Sequence, residues 1–324
     1  MACGNSKTAI GPFAESLRPE SLHLEINNHA HTLDLIYKEA VRRDRFEQFC
    51  TVLSAPVNEN GCGLKSMERF IREHYAIVSK RENNLGIRLI GEQAIQIARY
   101  GYRLADCLCI SNKFDASYVK YIVICKLLQT LRDIGAMLCK VDVDASYSNE
   151  VEKFCTLYFR LYALYFQSNC NSTVWTMGYA VPYHVKLLYN EYECGYGVTS
   201  MQENTSKHSE IKKILKLQTN RSNNNENGKW MQVLRACWVT QFYLPTKYPV
   251  VEYYSHSTHR IPELSSAEDH CACSRLLQGH STLCDVCHDA ENIVKHALAG
   301  SVPADILNIL MPEQCNECKK QFAD

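Results

Sequence analysis

The chain has 324 residues, 46% of them hydrophobic, which is long enough to bury a sizeable core and too apolar for a disordered polymer. Lysine plus arginine and aspartate plus glutamate number 35 each, so net charge selects neither a nucleic acid nor a membrane as partner, and only local charge can do so. No run of about 18 apolar residues is present to span a bilayer, and the opening stretch MACGNSKTAIGPFAESLRPE lacks an apolar signal core, so a nuclear or cytoplasmic chain is expected rather than a secreted or membrane one.

In chain order, residues 1–20 read as loop, with a short strand ending near Leu22. Helical spacing begins in LHLEINNHAHTLDLIYKEAVRRDRFEQFCTVL, where Leu33, Ile36, Tyr37, Ala40 and Val41 recur on one face. Pro56, Gly61 and Gly63 break this pattern. Further helices are expected at about 64–80, 87–110, 115–140 and 147–168, and the aromatic run of the last marks a core helix. The helix over 174–192 contains Pro182, which should kink it or begin a new helix. An Asn-rich loop (219–230) precedes the helix KWMQVLRACWVTQFYL, and a linker is expected near 250–268. No repeat of fixed period is visible, and strand signals are nearly absent.

Seventeen cysteines in a chain of this setting are expected as reduced thiols. Cys50, Cys107, Cys125 and Cys155 lie in apolar helical patterns and read as small buried hydrophobes. The tail differs. HCACSRLLQGHSTLCDVCHDAENIVKH and CNECKK carry three pairs: Cys271 with Cys273, Cys284 with Cys287, and Cys315 with Cys318. Two thiolate pairs on tight turns can enclose a tetrahedral Zn²⁺, which would stabilise a module too small for its own core. The first two pairs give C-x-C-x10-C-x2-C. The third pair can recruit His288 or His296, or pair with Cys284 and Cys287; spacing leaves the connectivity open. CDVCH also matches a covalent-haem motif, which the missing export signal and the surrounding cysteine pairs argue against.

Between Lys207 and Arg235 stand Lys207, Lys212, Lys213, Lys216, Arg221, Lys229 and Arg235, against only Glu210 and Glu226. Such an excess can neutralise phosphates or can be a solvated helix face. Upstream, His23, His29 and His31 offer no i, i+4 zinc pair, and they read mostly as surface or capping residues.

Two blocks carry a resemblance. LRPESLHLEINNHAHTLDLIYKEAVRRD resembles the segment around the middle catalytic acid of ribonuclease H-like cut-and-paste transposases, of the kind found in Transib-type transposases and the vertebrate antigen-receptor recombinase. VWTMGYAVPYHVKLLYNEYECGYGVTSMQENTSKHSEIKKILK, followed by KWMQVLRACWVTQFYLP, is similar to their C-terminal catalytic block. The likeness covers about 15–45 and 174–245, with a helical insertion between, as that family has. It implies a mostly α fold: a remnant of a ribonuclease H-like α/β domain (1–60), an all-helical insertion (61–173), C-terminal helices (174–250), and a linker with a cysteine-rich zinc module (251–324).

Enzymes of that family hold two Mg²⁺ or Mn²⁺ ions about 4 Å apart on three carboxylates. On this alignment the middle acid falls on Glu20 and the final Glu on Thr205, with Glu203 two residues away; the first Asp has no counterpart upstream of Glu20. The resemblance therefore implies a transposon-derived protein, inactive as a nuclease, that retains DNA binding and structural zinc. The alternatives are a fragment of an active transposase with Glu203 as third ligand, in which case Mg²⁺ or Mn²⁺ is also needed, and a helical zinc-containing interaction module that binds no DNA. The family also implies a homodimer.

Overall fold

A computed structural model describes residues 19–77, 85–199, 231–236, 270–277 and 282–310. The first helix, α1 (Ser21–Arg42), begins at an acidic N-cap: the Glu20 carboxylate accepts the backbone N–H groups of Leu22 and His23, two donors that the first helical turn leaves unpaired. Residues 19–22 thus form no strand; the apolar Leu22 and Leu24 belong to a helix that begins at Ser21. The helix buries Leu24, Leu33, Ile36, Tyr37 and Ala40, close to the face that the apolar spacing marks. α2 (Phe46–Ser54) and α3 (Lys65–Ile77) follow as a short pair, and α4 (Gly91–Asp106) packs on α1.

The centre of the fold is α5 (Ala116–Leu138). Asp115 caps it, accepting the Ser117 N–H at 2.6 Å. Its apolar residues, among them Ile122, Val123, Leu127, Leu131 and Ile134, do not confine themselves to one stripe, and it is accordingly buried against neighbours on several sides: α1, α4 and the helices that follow. α6 (Tyr147–Tyr165) supplies the aromatic layer, with Tyr158 and Tyr162 fully buried and their hydroxyls bonded to Thr32 of α1. The lone cysteines Cys50, Cys107, Cys125 and Cys155 are buried thiols, and burial pushes the Cys125 thiol up to about 12.

Pro182 neither stops the chain nor leaves a gap. α7 (Ser172–Trp175) widens into a π turn (Thr176–Ala180) and then continues as α8 (Val181–Tyr192), with Pro182 in its first turn. The wider turn relieves the clash between the proline ring and the carbonyl one turn back, and removes the need for its missing N–H. Gly178 sits in that turn because a Cβ there would stand 2.4 Å from the Phe159 Cβ of α6.

Two further helices complete the described part: α9 (Asp285–Ala299), which buries Ala290, Ile293 and Ala297 against α5 and α6, and α10 (Ala304–Leu310). Arg160 of α6 donates to the Leu298 carbonyl and so caps the C-terminus of α9. Among the described residues there is no strand, only an isolated bridge between His270 and Leu276, and no single helix is long and apolar enough to cross a membrane.

One apolar core runs through α1 to α10. The chain divides into two compact units, Met1–Thr199 with His256–Asp324, and Ser200–Ser255. Of the second, only residues 231–236 are described: they are helical, with Val233 buried and Arg235 exposed. The Asn-rich loop and the linker lie outside the described residues.

Candidate metal centre

The segment 270–277 is a tight knuckle. His270 and Leu276 bridge, the Cys271 N–H donates to the Arg275 carbonyl at 2.8 Å, and the Ser274 N–H donates to the Cys271 carbonyl at 2.8 Å. Ser274 takes a left-handed conformation (φ 74°), the turn that brings Cys271 and Cys273 to the same side. The second pair comes from a different device. Cys284 is the N-cap of α9 and Cys287 lies three residues on, in its first turn, so C-x2-C presents both thiols from one helix end. That end also favours negative charge.

The four sulfur atoms of Cys271, Cys273, Cys284 and Cys287 lie within 4.8 Å of one another, with Cys273 and Cys284 3.4 Å apart. Four thiolates set tetrahedrally around an ion at ~2.3 Å have S···S edges of roughly 3.8 Å, so the group fits a metal such as zinc. Three of the four cysteines are buried and the fourth is half-buried. The Cys273 thiol is held below its ordinary value, chiefly by the hydrogen bond with Cys287 and also by Arg275, while the same bond raises Cys287. A lowered thiol in the set favours the thiolate, the form that ligates metals. An open cleft bordered by Asp106, Tyr121, Arg275, Leu283 and Cys284 gives the cluster a route to solvent.

Two arginines that composition and spacing do not single out fix the knuckle to the core. Arg132, buried in the apolar run of α5, donates to the Ala272 carbonyl at 2.6 Å and to the Ser274 hydroxyl at 3.0 Å. Arg275 pairs with Asp106 of α4 at 2.6 Å and reaches both Cys273 Sγ (3.4 Å) and Cys125 Sγ (3.1 Å). An adjacent charged pair, Arg132 and Asp133, inside a largely apolar buried helix, LLQTLRDIGAML, is the signal that could have marked Arg132. On the α9 side, Lys113 and Tyr118 both donate to Asp289.

The other expected ligands stand elsewhere. His288 is exposed and leans on Asp289, and the His296 ring is hydrogen-bonded to the Ser301 hydroxyl at 3.1 Å. Neither belongs to the four-sulfur group. Cys315 and Cys318 lie outside the described residues, as do Glu203, Thr205, Lys207, Lys212, Lys213, Lys216, Arg221 and Lys229. Of the upstream histidines, His23 is exposed and bonded to the Glu20 carboxylate at 2.6 Å, as expected of a capping residue. His29 is not at the surface: it is fully buried beside Glu25, because its position on α1 faces the core. His31 is half-buried and bonded to the Asn169 carbonyl at 2.6 Å.

Glu20 is engaged as a helix cap through both oxygens, one with the Leu22 N–H and the other with His23. The glycine-framed CGYG stretch is folded onto the loop after α5. Gly195 and Gly197 donate to the Val141 and Lys140 carbonyls, and a Cβ at either would stand within 2.5 Å of a backbone oxygen. Tyr196 between them is fully buried; its N–H donates to the Tyr147 hydroxyl at 3.1 Å and its hydroxyl donates to the Pro19 carbonyl at 2.6 Å. Comparison with protein-family models, curated proteins and solved structures returns no match to this chain.

Proposed function

We propose that this chain is a transposase-derived, DNA-binding protein without strand-cleaving activity, whose knuckle and α9 are joined by a structural zinc ion. The observation that carries the zinc part is the four-thiol group. It offers four thiol ligands, Cys271, Cys273, Cys284 and Cys287, within 4.8 Å of one another, enough to fill a four-coordinate zinc shell with no open position for a substrate or an activated water. When bound, the ion would offset part of the thiolate charge and hold two chain segments together; its chemistry is that of a staple.

The absence of cleavage follows from the acids. Hard divalent ions need several charged oxygens, and Glu20 has both oxygens engaged at the start of α1. Thr205 at the position of the final Glu is a neutral hydroxyl. DNA binding rests on the resemblance and on the basic run from Lys207 to Arg235, of which Arg235 is exposed. Binding through phosphates predicts an affinity for random duplex DNA that falls steeply with salt and falls for every sequence in K212E/K213E. Salt-independent or absent binding would leave the interaction-module reading instead.

One contact favours the second reading, a fragment of an active transposase. The Tyr196 hydroxyl bond to Pro19 brings the CGYG stretch beside Glu20, the neighbourhood that the two catalytic blocks share in that family. A strand-cleavage assay with Mg²⁺ or Mn²⁺ separates the two: no cutting is expected, and cutting abolished by Glu20→Ala would establish the second.

A further inference from the structure

We propose that Arg275 is the outer charge partner of the four-cysteine centre, setting its metal affinity and tying metal loading to the docking of the knuckle on α4 and α5. This rests on the zinc reading and extends it.

A divalent ion held by four thiolates carries a net charge of about −2. Such a charge taken out of water is costly unless a cation is close, and Cys271, Cys273 and Cys284 are buried. Arg275 supplies that cation at hydrogen-bond range of a ligand: its Nη1 lies 3.4 Å from Cys273 Sγ. The guanidinium is held in place on its other edge by Asp106, through Nε and Nη2, and lies over the Tyr102 ring at 5.3 Å. Its third contact is Cys125 Sγ of α5 at 3.1 Å, a thiol outside the four. The same residue acts through its backbone, since its carbonyl accepts the Cys271 N–H and closes the knuckle. One residue thus touches two ligands, α4 and α5 together.

Arg132 provides an internal contrast. It is buried against the knuckle and paired with Asp133 at 2.8 Å, yet it bonds the Ala272 carbonyl and the Ser274 hydroxyl, and no hydrogen bond joins it to a ligand sulfur among the described residues. Loss of docking alone would be felt through either arginine; loss of charge compensation at the sulfur would be felt through Arg275.

The test uses the full chain. Zn²⁺ affinity is measured by competition with a chromogenic chelator, and Co²⁺ absorption reports whether four thiolates still ligate. Arg275→Gln is expected to weaken Zn²⁺ binding about 10- to 100-fold while the Co²⁺ spectrum stays thiolate-rich. Arg275→Lys should recover part of the loss, because the charge returns without the planar fork; it carries the comparison if the Gln variant folds poorly. Arg132→Gln should cost less affinity than Arg275→Gln. Wild-type affinity in Arg275→Gln, or equal losses in the two Gln variants, overturns the proposal and leaves the zinc site standing. A wild-type chain that binds neither Zn²⁺ nor Co²⁺ overturns the zinc reading and this proposal with it.

Discussion

The Tyr196 hydroxyl donates to the Pro19 carbonyl at 2.6 Å, which joins the CGYG stretch to the residue just before the Glu20 cap of α1. The two partners are 177 positions apart in the chain, so the bond closes a long loop that contains α1 to α8. Removing the hydroxyl in Tyr196→Phe leaves a part-buried carbonyl without this donor, at a cost of about 0.5–1.5 kcal/mol. Gly195→Ala should cost more, about 1–3 kcal/mol, because the added Cβ would stand 2.3 Å from the Lys140 oxygen and a backbone atom yields less than a side chain. Urea midpoints at constant m check both. Wild-type midpoints in Gly195→Ala would remove the packing account of this stretch.

Acid should weaken the start of α5 through Asp115. The Ser117 N–H at 2.6 Å holds the Asp115 carboxyl below its ordinary value of 3.8. A depressed carboxyl stabilises the folded chain at pH above the unfolded value, and that contribution is lost as pH falls through the lower folded value. Asp115→Asn keeps a capping oxygen and cannot titrate. The wild type should therefore be the more stable of the two at pH 6, and the gap between their urea midpoints should close as pH falls below about 4. A gap that does not change with pH would mean the charge is not what stabilises the cap.

The helices were legible because their apolar spacing is regular: the expected 115–140 and 147–168 correspond to Ala116–Leu138 and Tyr147–Tyr165. The C-x-C and C-x2-C pairs were legible for the same local reason, since each is made by one turn or one helix end. What spacing could not reveal was which pairs meet, because that depends on where α9 packs. Arg132 and Arg275 escaped because the contacts that dock the knuckle, Arg132 to Ala272 and Arg275 to Asp106, join residues more than a hundred positions apart, and an arginine code letter carries no address. The glycines at 195 and 197 suggested a site lip, yet their lack of a Cβ serves close approach to the loop after α5. His29 misled similarly: polarity pointed outward, while helical register turns it into the core.

Thr32 should prove critical for the aromatic layer. Its hydroxyl donates to the Asn28 carbonyl and lies 3.0 Å from the Tyr162 hydroxyl and 3.3 Å from that of Tyr158, all three side chains being fully buried. Thr32→Val keeps the shape and removes the shared partner, so two buried hydroxyls lose a hydrogen bond at a cost of about 1–3 kcal/mol. In a Tyr162→Phe background the same substitution should cost less, since one of the stranded hydroxyls is already gone. Strictly additive losses in the double-mutant cycle would show that the three groups do not act as a network.

Metal removal should loosen the chain at one place. The sulfur atoms of Cys271 and Cys273 and those of Cys284 and Cys287 come from two segments whose thiols meet within 4.8 Å, and an ion that binds only the folded arrangement stabilises it by mass action. At free metal about 1,000 times the dissociation constant that amounts to roughly 4 kcal/mol. A strong chelator should therefore lower the melting temperature of the wild type and raise protease sensitivity around 270–287. Cys273→Ser should melt near the chelated wild type and ignore chelator, because a hydroxyl replaces one thiolate of the four. Cys109→Ser alters an exposed thiol outside the set and should respond as the wild type does. If chelator left the wild-type melting curve where it was and Cys273→Ser melted with it, the four sulfurs would be no more than neighbouring thiols in a packed core.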